Sequence, residues 1–383
     1  MTLAAVHKIS YQVSVVWGKC DPLICGSYPI GFVSQPVSHA SPSLRRSTYK
    51  PGLAWFATLG SAWVFVLVTM GAFTTSIGAG MAFADWPLSN GSLNPNGWLS
   101  NLAMFAEHSH RLSAGLMSAI TVTLAFWLWR TESRRWLRTL AIVAVALIFV
   151  QALVGGLRVL LENRQVEMIE TSVGRLFAML HACLAQIFVC TLAAIAAGCS
   201  RSWVEGQCIE NNSATRKVRT LGLACCLLLL AQLAIAAVMR HSFAGLAIPT
   251  FPQSTPAGGW LPEAWNFRIA IHFAHRTMAL LISVAVTWFA VALARTPELS
   301  RGYKISGAGL VGLLGLQIFL GAWVVWSGRN PYLTTAHVIV GAVALSSTFL
   351  LTWFLFRGVV ESPSAKTSPA EPSHAHAGEF SHA

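Results

Sequence analysis

Residues 139–159 read TLAIVAVALIFVQALVGGLRV, an apolar run interrupted by one glutamine, Gln151, and one late charge, Arg158. A helix crossing the hydrocarbon core of a bilayer needs about 20 mostly apolar residues, so this stretch reads as a membrane span. Seven more runs of the same kind lie at 53–79, 112–129, 176–198, 220–239, 269–293, 305–326 and 334–356. The expected fold class is therefore an all-α membrane protein with eight transmembrane helices. Composition points the same way. The 383 residues are 55% apolar and include 15 Trp and 20 Phe, and the mean hydropathy is +0.59. Only 10% are charged, against roughly 25% in an average soluble protein. A disordered chain is excluded and an ordinary soluble enzyme is not supported.

The net charge of +12 is a topology signal here, not a nucleic-acid footprint. With the N-terminus placed inside, eighteen of the 26 basic residues fall in inner segments, from Lys8 to Lys366. The other eight are all arginines: Arg111, Arg158, Arg164, Arg175, Arg240, Arg268, Arg276 and Arg329. Basic residues near span ends favour the cytoplasmic side, so both termini are expected in the cytoplasm. Cysteine placement agrees. Cys20, Cys25, Cys199 and Cys208 are inner, and Cys183, Cys190, Cys225 and Cys226 lie within spans. None falls in an outer loop, where a disulfide would persist.

The expected organisation is a cytoplasmic extension over 1–51, a first four-helix half over 52–200 and a linker over 201–219. A second half follows over 220–357, with a disordered tail over 358–383. The first 50 residues fit a mitochondrial transit segment poorly because of their prolines and cysteines. They read as an extension, or as the product of a start codon placed too early. Cys20 and Cys25 lack nearby partner ligands for a metal, and His374, His376 and His382 read as solvated.

The chain repeats itself. Glu107-His108-Ser109-His110-Arg111 opens the second span and His272-Phe273-Ala274-His275-Arg276 the sixth. Gln151-Ala152-Leu153-Val154-Gly155 in the third span matches Gln317-Ile318-Phe319-Leu320-Gly321 in the seventh, and His181 in the fourth matches His337 in the eighth. The offsets are 165, 166 and 156, so the first half carries ten extra residues around 160–175. Four spans per half make the repeat parallel, two pseudo-symmetric four-helix bundles.

His110, His181, His275 and His337 each sit near the outer end of an even-numbered span. Ionisable groups at such positions are costly and normally face a bundle interior or cavity. Two imidazoles at one depth on different helices can hold a haem iron from both faces, which gives two haem sites. Glu107 and His110 share a helix face as i and i+3 neighbours; His108 is turned away and reads as interfacial. The matching position in the second half is His272. A buried carboxylate beside a porphyrin is expensive, so the first half is the better candidate for chemistry and the second for a resident electron-transfer cofactor. Arg111 and Arg276 suit haem propionates or snorkel to headgroups. Gln151 and Gln317 read as hydrogen-bonding across each bundle, Gly155, Gly156 and Gly321 as close-approach positions, and Trp86, Trp98, Trp260 and Trp265 as an outer aromatic belt.

Over residues 52–357 this set, Glu107-x-x-His110-Arg111, His181, His275-Arg276 and His337 in two four-span halves, resembles the haem A synthases of bacterial and mitochondrial inner membranes. The resemblance implies oxidation of a methyl of haem O to a formyl by two hydroxylations, giving haem A for the terminal oxidase. It places haem b on His275 and His337, and the substrate between His110 and His181 with Glu107 beside it. It also implies the haem O synthase as supplier, an electron partner, the bacterial cytoplasmic membrane and room for a homo-oligomer. Some bacterial members carry a cysteine pair in the first outer loop; residues 80–106 have none, so the chain looks like the cysteine-free subset. The alternatives are a b-type dihaem electron-transfer cytochrome and a non-catalytic haem-handling or transport protein.

The charge asymmetry makes a direct prediction. A membrane-impermeant thiol reagent added from outside should label a cysteine introduced at Asn94 and spare one at Ser133. The reverse pattern would invert the topology.

Overall fold

A computed structural model describes residues 48–167, 171–207 and 209–361. The Cys20/Cys25 pair and the C-terminal histidines lie outside these residues. Eight helices are long and apolar enough to cross a membrane. They are α1 (Pro51–Ser76), α2 (Leu102–Thr131), α3 (Arg135–Leu160) and α4 (Val173–Cys199), then α5 (Ser213–His241), α6 (Phe267–Arg295), α7 (Arg301–Trp326) and α8 (Pro331–Leu355). A two-residue ribbon, β1 (Gln165–Val166) antiparallel to β2 (Thr171–Ser172), occupies the α3–α4 connection. The corresponding α7–α8 connection is only Ser327–Asn330, which accounts for most of the insertion seen in the repeat offsets.

Helix ends extend beyond the apolar runs because polar residues cap them. The second span was expected from 112, yet α2 begins ten residues earlier, where the Asn101 side chain accepts the backbone N–H groups of Ala103 and Met104. Asn266 caps α6 through Ile269 N, and Asn330 caps α8 through Tyr332 N and Leu333 N. Asn212 and Thr215 form a capping box that starts α5 at Ser213. The linker expected over 201–219 therefore surrenders its last residues to α5. Histidines expected near the span ends now lie deeper. His110, His181 and His275 are each eight residues past the first residue of their helix and His337 six, or about 12 Å and 9 Å at 1.5 Å per residue.

In the first half α1 packs on α2 and α4, and α3 packs on the same two helices. In the second half α5 and α7 pack in the same way on α6 and α8. Across the middle, α4 meets α8, while α1 meets α8 and α4 meets α5. The last two contacts exchange under the repeat, as a parallel two-fold arrangement requires. Each half has its own apolar core. One gathers Met117, Leu124, Leu128, Leu137, Ile148, Phe188 and Leu192, the other Val218, Cys225, Ile282, Phe289, Leu293, Leu310 and Leu314. The first-half core occupies the ends of α2 and α4 farthest from His110 and His181. At that end Trp136, Trp203 and Trp353 cluster with centroids 5.6–5.8 Å apart, and Trp203 Nε1 donates to Glu361 Oε1 at 2.7 Å. The opposite end of each bundle is left for polar chemistry.

Candidate functional site

The two second-half histidines lie close together. The His275 and His337 ring centroids are 6.4 Å apart at an interplanar angle of 64°. His337 Nδ1 donates to the backbone O of Gln317 at 3.1 Å, and the Gln317 amide nitrogen lies 3.4 Å from His337 Nε2. His181 Nδ1 donates likewise to Gln151 O at 3.1 Å, while Gln151 Nε2 donates to His181 O at 2.8 Å. A carbonyl partner fixes the proton on Nδ1 and leaves Nε2 with its lone pair, the state that binds a metal. Glycines allow this contact. A Cβ on Gly155 would stand 2.9 Å from His181 Cε1, one on Gly321 3.1 Å from His337 Cε1, and one on Gly71 2.8 Å from His110 Cε1.

Whether a haem iron suits these residues can be tested on distance and on polar satisfaction. Imidazole nitrogens gripping a metal from both sides at about 2 Å, the usual His–metal length, space their ring centroids by about 6 Å. The His275–His337 separation of 6.4 Å meets that. Buried side-chain atoms without a hydrogen-bond partner among the described residues include His275 Nδ1, Gln151 Oε1, Gln232 Oε1 and Gln317 Oε1, besides others such as Trp136 Nε1 and Arg219 Nη2 at the opposite end. Unpaired groups of this kind cost several kcal/mol each in hydrocarbon, and the first four belong to His275 or to glutamines bonded to the histidines. Among the described residues no group of three or more His, Cys, Asp or Glu could hold a bare ion; a haem iron asks for only one or two protein ligands.

The residues next to the histidines hold the loops. Glu107 is 4% exposed. Its Oε2 accepts from Ala82 N at 2.7 Å and Phe83 N at 3.2 Å, and its Oε1 pairs with Arg111 at 2.5 Å. Arg111 also donates to Asp85 O and Leu88 O at 2.8 and 2.5 Å. The second half repeats the device: Arg276 donates to Ile248 O, Thr250 O and Gln253 O at 3.0, 2.6 and 3.3 Å. His272 has Ile248 N 3.2 Å from Nδ1 and Arg276 Nε 3.2 Å from Nε2, of which a neutral imidazole can accept only one. Arg111 and Arg276, expected to reach propionates or headgroups, are thus found stapling the α1–α2 and α5–α6 loops onto the bundles. In the first of these loops, Asp85 receives Asn90 N and Gly91 N, both at 2.8 Å. The bond from Gly91 holds its carboxyl below the usual value.

His108, expected at the interface, is instead buried under the loop, 3.0 Å from Ser89 Oγ and edge-on to Trp98 at 4.8 Å. Trp86 and Trp98 also depart from the expected belt. A Cβ on Gly156 would stand 2.5 Å from Trp86, and Trp98 stacks on Phe105 at 5.9 Å; Trp260 and Trp265 remain exposed. Sequence reasoning passed over Gln232 of α5, whose amide donates to His275 O at 3.0 Å. A lone polar residue in the run LLLLAQLAIAA was the available signal. It also gave no role to Arg158 and Arg240, charges at span ends.

Eight apolar helices long enough to span a bilayer, with half-buried imidazoles at one end, define an integral, multi-pass membrane protein. The family of cytochrome oxidase assembly proteins designated COX15-CtaA matches residues 99–350, and the chain belongs to it. Curated relatives named heme A synthase cover most of both chains. That of Halalkalibacterium halodurans is 25% identical over 79% of this chain and 96% of its own. That of an Exiguobacterium species is 22% identical over 81% and 95%, and that of Geobacillus kaustophilus 26% over 74% and 86%.

The arginine staple is testable without any ligand. Arg276→Leu should speed amide hydrogen exchange across 248–253 about tenfold or more while leaving the interior amides of α6 protected. Unchanged exchange would show that the loop holds without it.

Proposed function

We propose that this chain is a haem A synthase, a membrane oxidoreductase that converts the substrate haem O to haem A for a terminal cytochrome oxidase. The observation that carries the reading is the duplicated arrangement of histidine, glutamine carbonyl and glycine at one end of two bundles, with a carboxylate in only one copy. In this reading His275 and His337 hold haem b, whose chemistry is one-electron transfer. Two neutral imidazoles would suit that task better than activation of oxygen. His110 and His181 flank the substrate. The histidine end faces outward, with both termini in the bacterial cytoplasm. The haem O synthase is the natural supplier.

Glu107 is the proposed catalytic group. Passing electrons from the substrate macrocycle to an electron-accepting partner would develop positive charge there, and a carboxylate fixed in low dielectric stabilises such charge better than water does. Glu107 is so fixed by two backbone N–H groups and Arg111, one helical turn from His110. It can also take up a proton released at the methyl carbon. His272 faces similar loop donors from the matching position without that charge, so anchoring a loop does not by itself demand a carboxylate. This asymmetry favours an enzyme over a symmetric dihaem electron carrier.

Two substitutions test the halves separately. His337→Ala should abolish or markedly alter a low-spin haem b spectrum in the purified protein, and a spectrum unchanged in both His275→Ala and His337→Ala would remove the second-half assignment. Glu107→Gln keeps an oxygen for Ala82 and Phe83 while removing the charge. Cells carrying it with a haem O source should retain haem b in the protein. Their haem A should fall at least about 100-fold, the low end of what a positioned acid or base contributes, with haem O or its hydroxylated intermediate accumulating. Wild-type haem A yield would leave Glu107 a loop anchor only.

A further inference from the structure

With Arg111 and Arg276 engaged by the loops, another cation faces the first-half site. Gly155 packs on the His181 ring, and Arg158 lies three residues on, on the same face of α3 one turn nearer the histidine end. Among the described residues its guanidinium makes one hydrogen bond, Nη1 to Gly80 O at 2.6 Å. It lies so flat on the loop backbone that a Cβ on Gly80 would overlap Nη2. Its other N–H groups are uncommitted. His110, His181, Glu107, Glu162 and Arg111 are all within its electrostatic reach. At the 166-residue offset that aligns Gly155 with Gly321, the second half has Val324. The cation belongs to the first half alone.

We propose that Arg158 binds a propionate of the substrate porphyrin lying between His110 and His181, and through that contact sets which methyl group faces Glu107. The inference rests on the haem A synthase reading. Guanidinium offers carboxylate two parallel donors in a fixed plane, and Arg158 has the donors free. In haem O the methyl that becomes formyl shares a pyrrole ring with a propionate. A cation holding that propionate beside Glu107 therefore presents the adjacent methyl to the carboxylate. Arg158 is in this sense a binding and positioning residue, and the reacting carbon is Glu107's concern.

The test is a spectral titration of purified, haem b-loaded protein in detergent with haem O and with its propionate dimethyl ester. Hydrogen bonds to a charged group are worth roughly 1.5–3 kcal/mol, so esterification should weaken binding to the wild type about 10- to 100-fold. Arg158→Leu should weaken haem O binding by a similar factor and bind acid and ester alike. Arg158→Lys should recover part of the discrimination. Retained haem b reports that each variant is folded, and should Arg158→Leu not accumulate, the wild-type ester comparison and Arg158→Lys decide. Equal wild-type affinity for acid and ester, or full discrimination in Arg158→Leu, would overturn the proposal. A wild type that binds haem O not at all would overturn the haem A synthase reading, and the propionate anchor with it.

Discussion

An imidazole two turns inside an apolar bundle must give its ring N–H to something, and in both halves the neighbouring helix supplies a glutamine backbone carbonyl. His181 takes Gln151 O and His337 takes Gln317 O, each at 3.1 Å. This contact settles the tautomer, aims Nε2 away from the carbonyl and requires α3 and α4, or α7 and α8, to approach closely. The glycine four residues after each glutamine makes that approach sterically possible. Alanine at either site would bring a methyl within about 3 Å of the ring carbon, tighter than van der Waals contact allows. The rest of each site follows from where this pair places the ring.

The loops show a second layer of the same economy. Segments that lead back into the bundle bring backbone N–H and C=O groups to the histidine end, and each needs a partner. Arg111 and Arg276 serve several carbonyls each, Arg158 adds a bond to Gly80 O in the first half, and Glu107 or His272 stands before the N–H groups. Because the carboxylate offers about four acceptor sites and a neutral imidazole one, replacing one by the other changes more than charge. It also changes how firmly the loop over the site is held. Glu107 thus joins loop architecture and proposed chemistry in one side chain, and the charge-removing amide is the substitution that separates them.

Much of this was legible in the sequence. Apolar runs such as 139–159 have no alternative to spanning a bilayer, and the repeat of His110/His275, Gln151/Gln317 and His181/His337 identified the paired imidazoles. The start of α2 was not legible. Its first turns carry Glu107, His108, His110 and Arg111, too polar for a hydropathy window, and the signal that fixes them is one cap, Asn101. Side-chain direction was also out of reach. Arg111, Arg158 and Arg276 look alike as charges at span ends, yet Arg111 and Arg276 each donate to several loop carbonyls and Arg158 to one, Gly80 O, 78 residues away. Such choices depend on tertiary contacts that no local pattern encodes.

The contact between α4 and α8 relates the two histidine ends to each other. His181 and His337 are carried by helices that pack on each other and run in the same direction, so the two sites lie side by side across the interface. Polar contacts fix that relation. Arg240 of α5 donates to Ala72 O and Ser76 Oγ of α1 at 3.1 and 2.8 Å, and Thr335 of α8 donates to Ser76 Oγ at 3.1 Å. At the 165-residue offset Arg240 corresponds to Thr75, so this bridge, like Arg158 and Glu107, exists in one copy only. Shared backbone geometry sets the depth of both histidine pairs. The unshared charges (Glu107 and Arg158 beside one pair, Arg240 reaching across from the other half) make the two histidine ends chemically different although their backbones are alike.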